Sequence, residues 1–229
     1  MNVDLSIPLD DGGTTTATRY LADTPADPAS TLILAHGAGA GHRHAFMTAF
    51  ARGLNARGVH VVTFNFPYME RQRRAPDRAP VLEACFRSVL EATRSQDPSD
   101  DQRLFLGGKS MGGRIATHLA AQDAHALCGV VALGYPLHPP GKPERTRSAH
   151  LPAIPVPVLI VQGERDAFGT PSELAPVIDT MPAEVTLHVV PGGDHSFAVR
   201  GRAASEVYEP LFSVIASWLT THTGPRLVD

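Results

Sequence analysis

The stretch Leu104-Phe-Leu-Gly-Gly-Lys-Ser-Met-Gly-Gly-Arg114 decides how this chain is read. It has the composition of a short buried strand, a serine walled in by glycines, and the start of a helix. A serine on a tight strand-to-helix turn occupies a strained backbone conformation, and side chains two residues before or after it would collide with the neighbouring strand and helix. Gly108 and Gly112 remove those side chains, so with Ser110 between them the G-x-S-x-G pattern of a nucleophile elbow is met. Gly107 and Gly113 widen the clearance, and Ile115 to Ala121 supplies small and apolar residues for a closely packed helix. The Ser110 hydroxyl is then expected at a helix N-terminus, where partial positive charge favours a developing oxyanion. Gly108-Lys109-Ser110 also matches the end of the phosphate-loop pattern G-x-x-x-x-G-K-S. Its first glycine is replaced by Arg103, so the cradle of backbone amides is not written here.

A serine hydroxyl is a poor nucleophile until an imidazole takes its proton and a carboxylate holds that imidazole in the right tautomer. In a fold built around this elbow, the acid and then the histidine follow the serine along the chain. Val158-Leu-Ile-Val-Gln-Gly163 reads as a buried strand ending in glycine, and the turn after it carries Glu164-Arg165-Asp166. The strand-Gly-x-x-Asp layout favours Asp166 as the acid over Glu164. Val185 to Val190 reads as a further strand, and Pro191-Gly-Gly-Asp-His-Ser-Phe197 after it is a loop able to swing His195 toward Ser110. Among eleven histidines, His195 is selected by its place last in the Ser110, Asp166, His195 order. Asp194 reads as a loop-shaping residue that accepts backbone hydrogen bonds.

An oxyanion needs two amide donors. Met111, the residue after the nucleophile, supplies one. The other is expected from the glycine-rich turn His36-Gly-Ala-Gly-Ala-Gly41 that follows the strand Thr31 to Ala35, with Ala38 the chosen donor and Gly37 or Gly39 as alternatives. His36, His42 and His44 lie close in sequence, but the cluster lacks Cys and carboxylate partners, and neither a metal nor any other cofactor is expected.

The chain has 229 residues, enough for one domain with a large core, and no linker-like break divides it. A net charge of −3 gives no electrostatic reason to expect nucleic acid or an anionic membrane as the main partner. The N-terminal residues lack a basic segment followed by a continuous apolar core, and no apolar run approaches the length of a membrane span, so a cytoplasmic protein is expected. Cys85 and Cys128 are far apart and lack metal spacing, as suits two buried thiols.

Val3 to Leu9 and Thr14 to Leu21 read as strands, followed by alternating strands and helices: a helix from about Ala45 to Arg57, strand Val59 to Phe64, a helix from Pro80 to Arg94, then the elbow. Strands at Gly129 to Leu133 and Val158 to Val161, the strand before His195 and a closing helix around Leu211 to Leu219 complete the pattern. Such alternation implies an α/β fold with a mainly parallel sheet covered by helices on both faces. Tyr135 to Pro157, where a lid would be inserted, has 23 residues and seven prolines, too few and too proline-rich for a packed helical cap. The loop Phe66 to Pro80 follows a parallel strand at its carboxyl end, so it is expected to border the site and to bring Tyr68, Arg73 and Arg74 to its mouth, although a solvated charged face would read the same way. Tyr135 is a fourth candidate for contact with substrate.

Together, Ala35-His-Gly-Ala-Gly-Ala-Gly41, Phe64-Asn-Phe-Pro-Tyr-Met-Glu70, Gly107-Gly-Lys-Ser-Met-Gly-Gly-Arg114, Gly134-Tyr-Pro-Leu-His-Pro-Pro-Gly-Lys-Pro143 and Val161-Gln-Gly-Glu-Arg-Asp166 resemble the α/β-hydrolase superfamily in its dienelactone-hydrolase-like branch. Most closely they resemble the group of testis-expressed protein thirty and the hydrolase-like third subunit of the non-specific lethal complex. The resemblance spans most of the chain. It implies the α/β-hydrolase fold and a Ser110, Asp166, His195 triad, but no particular substrate. Dienelactone hydrolases proper use a cysteine where this chain has Ser110, so their lactone substrate is not carried over. The expected activity is a carboxylesterase-like serine hydrolase acting on a small-molecule ester. A thioesterase or amidase would use the same triad, and a binding module or complex subunit built on the fold is the non-enzymatic alternative.

Overall fold

The computed structural model describes residues 2–26, 29–96 and 103–222. Eight strands form one sheet in the spatial order β1-β2-β4-β3-β5-β6-β7-β8: β1 Asn2–Pro8, β2 Thr14–Tyr20, β3 Ser30–Ala35, β4 Val59–Phe64, β5 Arg103–Lys109, β6 Leu127–Leu133, β7 Val158–Gly163 and β8 Val185–Val190. The pairs β1/β2 and β2/β4 are antiparallel, and every pair from β4 to β8 is parallel. Parallel strands covered on both faces bury every side chain, which is why β3, β6 and β7 are apolar almost throughout rather than alternating.

Helices α1 (Ala45–Asn55) and α6 (Ala204–Thr221) cover one face of the sheet. On the other lie α3 (Ala79–Gln96), α4 (Met111–Gln122) and α5 (Pro171–Ile178), while the single turn α2 (Pro67–Glu70) interrupts the loop after β4. The apolar stripes predict which side each helix turns inward: Phe46, Phe50 and Leu54 of α1 and Leu82, Phe86 and Val89 of α3 are all buried. Where α1 meets α6, a Cβ on Gly53 would stand 2.3 Å from the Phe212 ring, so the bare backbone there lets the two helices close. Cys85 and Cys128 are free and buried, and burial pushes the Cys85 thiol up to about 12.

The strand order turns around at β3, which lies between β4 and β5. Ligands of open parallel sheets gather at such a switch point, beyond the carboxyl ends of the strands. Here those ends carry the turn after Ala35 and Ser110. The connection from β6 to β7 contains only a single 3-10 turn, Leu151–Ala153, and among the described residues no helical cap is inserted there. Among the described residues, no helix is long and apolar enough to cross a membrane.

Candidate active site

Ser110 stands between β5 and α4 with φ 51° and ψ −113°, a conformation that costs a non-glycine residue energy. The surrounding structure enforces it. The Ser110 amide donates to the Leu133 carbonyl at 2.9 Å, tying the turn to β6, and the Ser110 carbonyl accepts from Arg114 to open α4. The glycines are needed for contact as anticipated: a Cβ on Gly108 would lie 2.3 Å from the Gly112 carbonyl carbon, and one on Gly112 would lie 2.4 Å from the Ala35 carbonyl oxygen. No L side chain fits at either point without moving backbone.

His195 Nε2 is 2.8 Å from Ser110 Oγ, and His195 Nδ1 is 2.8 Å from Asp166 Oδ2. Since Asp166 is an acceptor when ionised, the hydrogen-bond pattern puts a proton on Nδ1 and leaves Nε2 free to accept from the serine. Asp166 is 1% exposed, and its oxygens also accept from the Phe168 amide at 2.8 Å and from Gln162 Nε2 at 2.9 Å. Gln162 is itself fully buried; its Oε1 accepts from the Tyr135 amide at 2.7 Å, so the carboxylate is fixed to the β6 and β7 ends alike. The Phe168 ring stacks on the His195 imidazole with centroids 4.2 Å apart. Gly163 admits the histidine loop, since a Cβ there would meet the Asp194 carbonyl at 2.3 Å. The Asp194 side chain shapes that loop by accepting from the Ser196 and Ala198 amides at 2.8 and 2.9 Å. Glu164, the rival acid, is turned to the Gly192 amide instead, at 2.7 Å.

Lys109 is the least expected element. It lies 9% exposed beside the serine, its Nζ donates to the His195 carbonyl, and it faces the Phe46 and Phe197 rings at 5.8 and 5.4 Å. Burial pushes its ammonium down to about 8, outweighing the attraction of Asp166 and Asp194. The buried His36 is equally constrained: Nδ1 pairs with the Gly37 carbonyl at 2.8 Å and Nε2 accepts from the Phe66 amide at 3.0 Å. Burial holds it down at about 4, so it stays neutral and pins the turn that carries Ala38 to the segment after β4. His44 caps α1 through Nδ1, and the His42 amide donates to Asn65 Oδ1. The three histidines thus do separate structural work, and among the described residues no cluster of His, Cys, Asp or Glu is arranged to hold a metal ion.

Ser110 and His195 open into a cavity of about 970 Å³ that is also lined by Ala38 and Met111. Among the described residues, neither the Ala38 nor the Met111 amide has an acceptor within the protein, and both residues line the cavity that Ser110 lines. Such an arrangement can deprotonate the serine hydroxyl and stabilise the negative charge that develops on a carbonyl oxygen when that hydroxyl attacks the carbonyl carbon. Its lining includes the apolar side chains Phe46, Met47 and Phe212 and the basic side chains Arg114 and Arg147.

Residues 28–220 match the profile of the alpha/beta hydrolase domain. This chain belongs to that family. As an alpha/beta hydrolase it shares its architecture with the dienelactone hydrolase of Anabaena variabilis (TM-score 0.78, 16% identity, 98% of this chain and 99% of that one). A serine hydrolase without a lid from Xanthomonas campestris is similar at TM-score 0.72 and 21% identity, over 96% and 93% of the two chains. Est1E of Butyrivibrio proteoclasticus, solved with ferulic acid, is similar at TM-score 0.77 and 15% identity, over 95% and 98%. At these identities the likeness is one of fold.

Four candidate contact residues are not brought to the hydrolase cavity. Tyr68 is fully buried under the turn after β3, because α2 rotates its ring inward against His36. Tyr135 is 1% exposed, and its hydroxyl donates to the Arg147 carbonyl at 2.7 Å, so it braces a loop rather than facing the cleft. Arg73 is exposed and paired with Asp77, and Arg74 is exposed beside it. The loop does border the cavity, but through Pro76 and Asp77. The one-turn helix α2 redirects the chain there, and a four-residue helix has too little periodicity to be read from sequence. Arg114, Arg147, Gln162 and Lys109 were the residues overlooked. Gln162 alone carried a signal, as a polar residue ending an otherwise apolar strand.

Proposed function

We propose that the protein is a serine hydrolase that cleaves small or accessible esters through an acyl-enzyme. The observation that carries this reading is the unbroken chain Ser110 Oγ, His195 Nε2 and Nδ1, Asp166, opening on a cavity with two unsatisfied amides beside the serine. Ser110 Oγ attacks the substrate carbonyl carbon as His195 Nε2 takes the hydroxyl proton, and the carbonyl oxygen becomes an oxyanion accepting from the Ala38 and Met111 amides. Asp166 stabilises the imidazolium. Collapse expels the alcohol, which leaves with the proton from His195, and an acyl group remains on Ser110. Water then attacks the acyl carbon, His195 takes its proton, and release of the acid returns that proton to Ser110. Thioesters and amides would follow the same course with a different leaving group. The missing cap supports small or exposed acyl groups as substrates.

Ser110→Ala tests the assignment. Fluorophosphonate labelling should disappear, and kcat/KM on p-nitrophenyl esters should fall by about three orders of magnitude or more, as when the acting member of a coupled triad is removed. A variant that keeps wild-type turnover would refute the mechanism.

A further inference from the structure

Arg114 and Arg147 line the cavity that holds Ser110, and neither has a carboxylate partner among the described residues. A guanidinium cannot discharge itself, so a half-buried one is normally neutralised by an acid. Two in one cleft, with no carboxylate paired to either among the described residues, repel each other. Burial first, and the Arg114 charge second, hold the Arg147 guanidinium below its ordinary value. Among the described residues, the Arg147 side chain donates only to the Pro136 carbonyl, at 3.5 Å, and the Arg114 side chain makes no hydrogen bond. The two acids on the cavity wall pair with other arginines, Glu209 with Arg57 and Asp77 with Arg73 through Oδ1, while the buried Asp77 Oδ2 has no hydrogen-bond partner among the described residues.

Both arginines are also held on rigid supports. Arg114 lies one turn after Ser110 on α4, on the same helix face, and long side chains on a helix lean back toward its N-terminus. The Arg147 backbone is tied at both polar groups, its amide to the Leu137 carbonyl at 2.7 Å and its carbonyl to the Tyr135 hydroxyl at 2.7 Å. A loop anchored this firmly, with its cation left unpaired and turned to the site, is arranged for a charge that arrives from outside.

We propose that Arg114 and Arg147 form an anion-binding subsite, and that the natural substrate of Ser110 carries a carboxylate or phosphate group in addition to its scissile bond. This rests on the serine hydrolase reading for its chemistry. The subsite itself can be detected without turnover.

The test compares wild type with Arg114→Gln, Arg147→Gln and the double variant on p-nitrophenyl hemisuccinate and on its uncharged 4-oxopentanoate isostere. Wild type should prefer the charged ester, and each variant should lose about tenfold or more of that preference, read as the ratio of kcat/KM on the two esters and on the scale of a charge-assisted hydrogen bond. Raising salt from 0.05 to 0.5 M should weaken the preference. Arg114→Lys should restore part of it. In parallel, calorimetric titration of succinate and of inorganic phosphate shows which anion is taken, and the double variant should bind neither. Equal charged-to-neutral ratios in wild type and both variants, with no anion binding, would overturn the subsite and leave the hydrolase reading standing. Anion binding lost in the double variant, with no ester cleaved by wild type, would overturn the hydrolase reading and leave the subsite standing.

Discussion

Replacing Lys109 by methionine should change how stability depends on pH, by an amount that follows from the burial of its ammonium group. Its ordinary value of 10.5 falls to about 8 in the fold. Between these values the unfolded chain holds a proton that the folded protein has released, so this group makes stability rise with pH across that window. At about 1.36 kcal/mol per pKa unit, the charged lysine opposes folding by about 3 kcal/mol below pH 8. Water screens little of this at 9% exposure. Methionine is similar in length and carries no charge at any pH, and all other titrations are common to both proteins and cancel in the difference. The stability of wild type relative to Lys109→Met should therefore rise by about 2 to 3 kcal/mol from pH 7 to pH 10. Urea unfolding of both proteins at pH 7, 8, 9 and 10, extrapolated to water, measures it. Parallel pH curves would mean that Lys109 keeps its full proton affinity in the fold, and would refute the argument from burial.

Gly112→Ala places a Cβ 2.4 Å from the Ala35 carbonyl oxygen, so strand β3 and helix α4 must separate; a loss of about 2 kcal/mol or more in urea unfolding is expected, together with loss of fluorophosphonate labelling, and an unchanged midpoint would contradict the close contact. His36 falls from 6.5 to about 4 through burial, so the unfolded chain takes up its proton first as pH drops. Wild type should lose about 3 kcal/mol relative to His36→Gln between pH 6.5 and pH 4, seen in acid-range urea titrations, and equal losses would show that the ring is not held neutral.

Much of the fold was legible because its signals are local. The strand Val59–Phe64 lies where the apolar run places it, and the β6, β7 and β8 runs sit at or within a few residues of their expected bounds. A strand buried on both faces has to be apolar throughout, and a helix covering one face has to be apolar along one stripe, so burial is written into the chain itself. The helices α2 and α5 were not anticipated: four and eight residues span too few turns to show a period, and α5 carries prolines at both 171 and 176.

The sequence by itself determined the elbow and the order of Ser110, Asp166 and His195, because glycine is required wherever backbone approaches backbone, and because connections at the carboxyl ends of parallel strands converge on one edge of the sheet. Only the tertiary structure decided which side chains face the cleft. Arg73 and Arg74 form a conspicuous basic run but point to solvent, whereas Arg114 and Arg147, 33 positions apart in the chain, line one cavity. Lys109 and His36 became buried, with their proton affinities lowered, through packing contacts with Phe197, His195 and Phe66 from distant segments. Charge is a property of a residue type, but burial and pairing belong to the neighbours that folding supplies, and these set the electrostatics of the site.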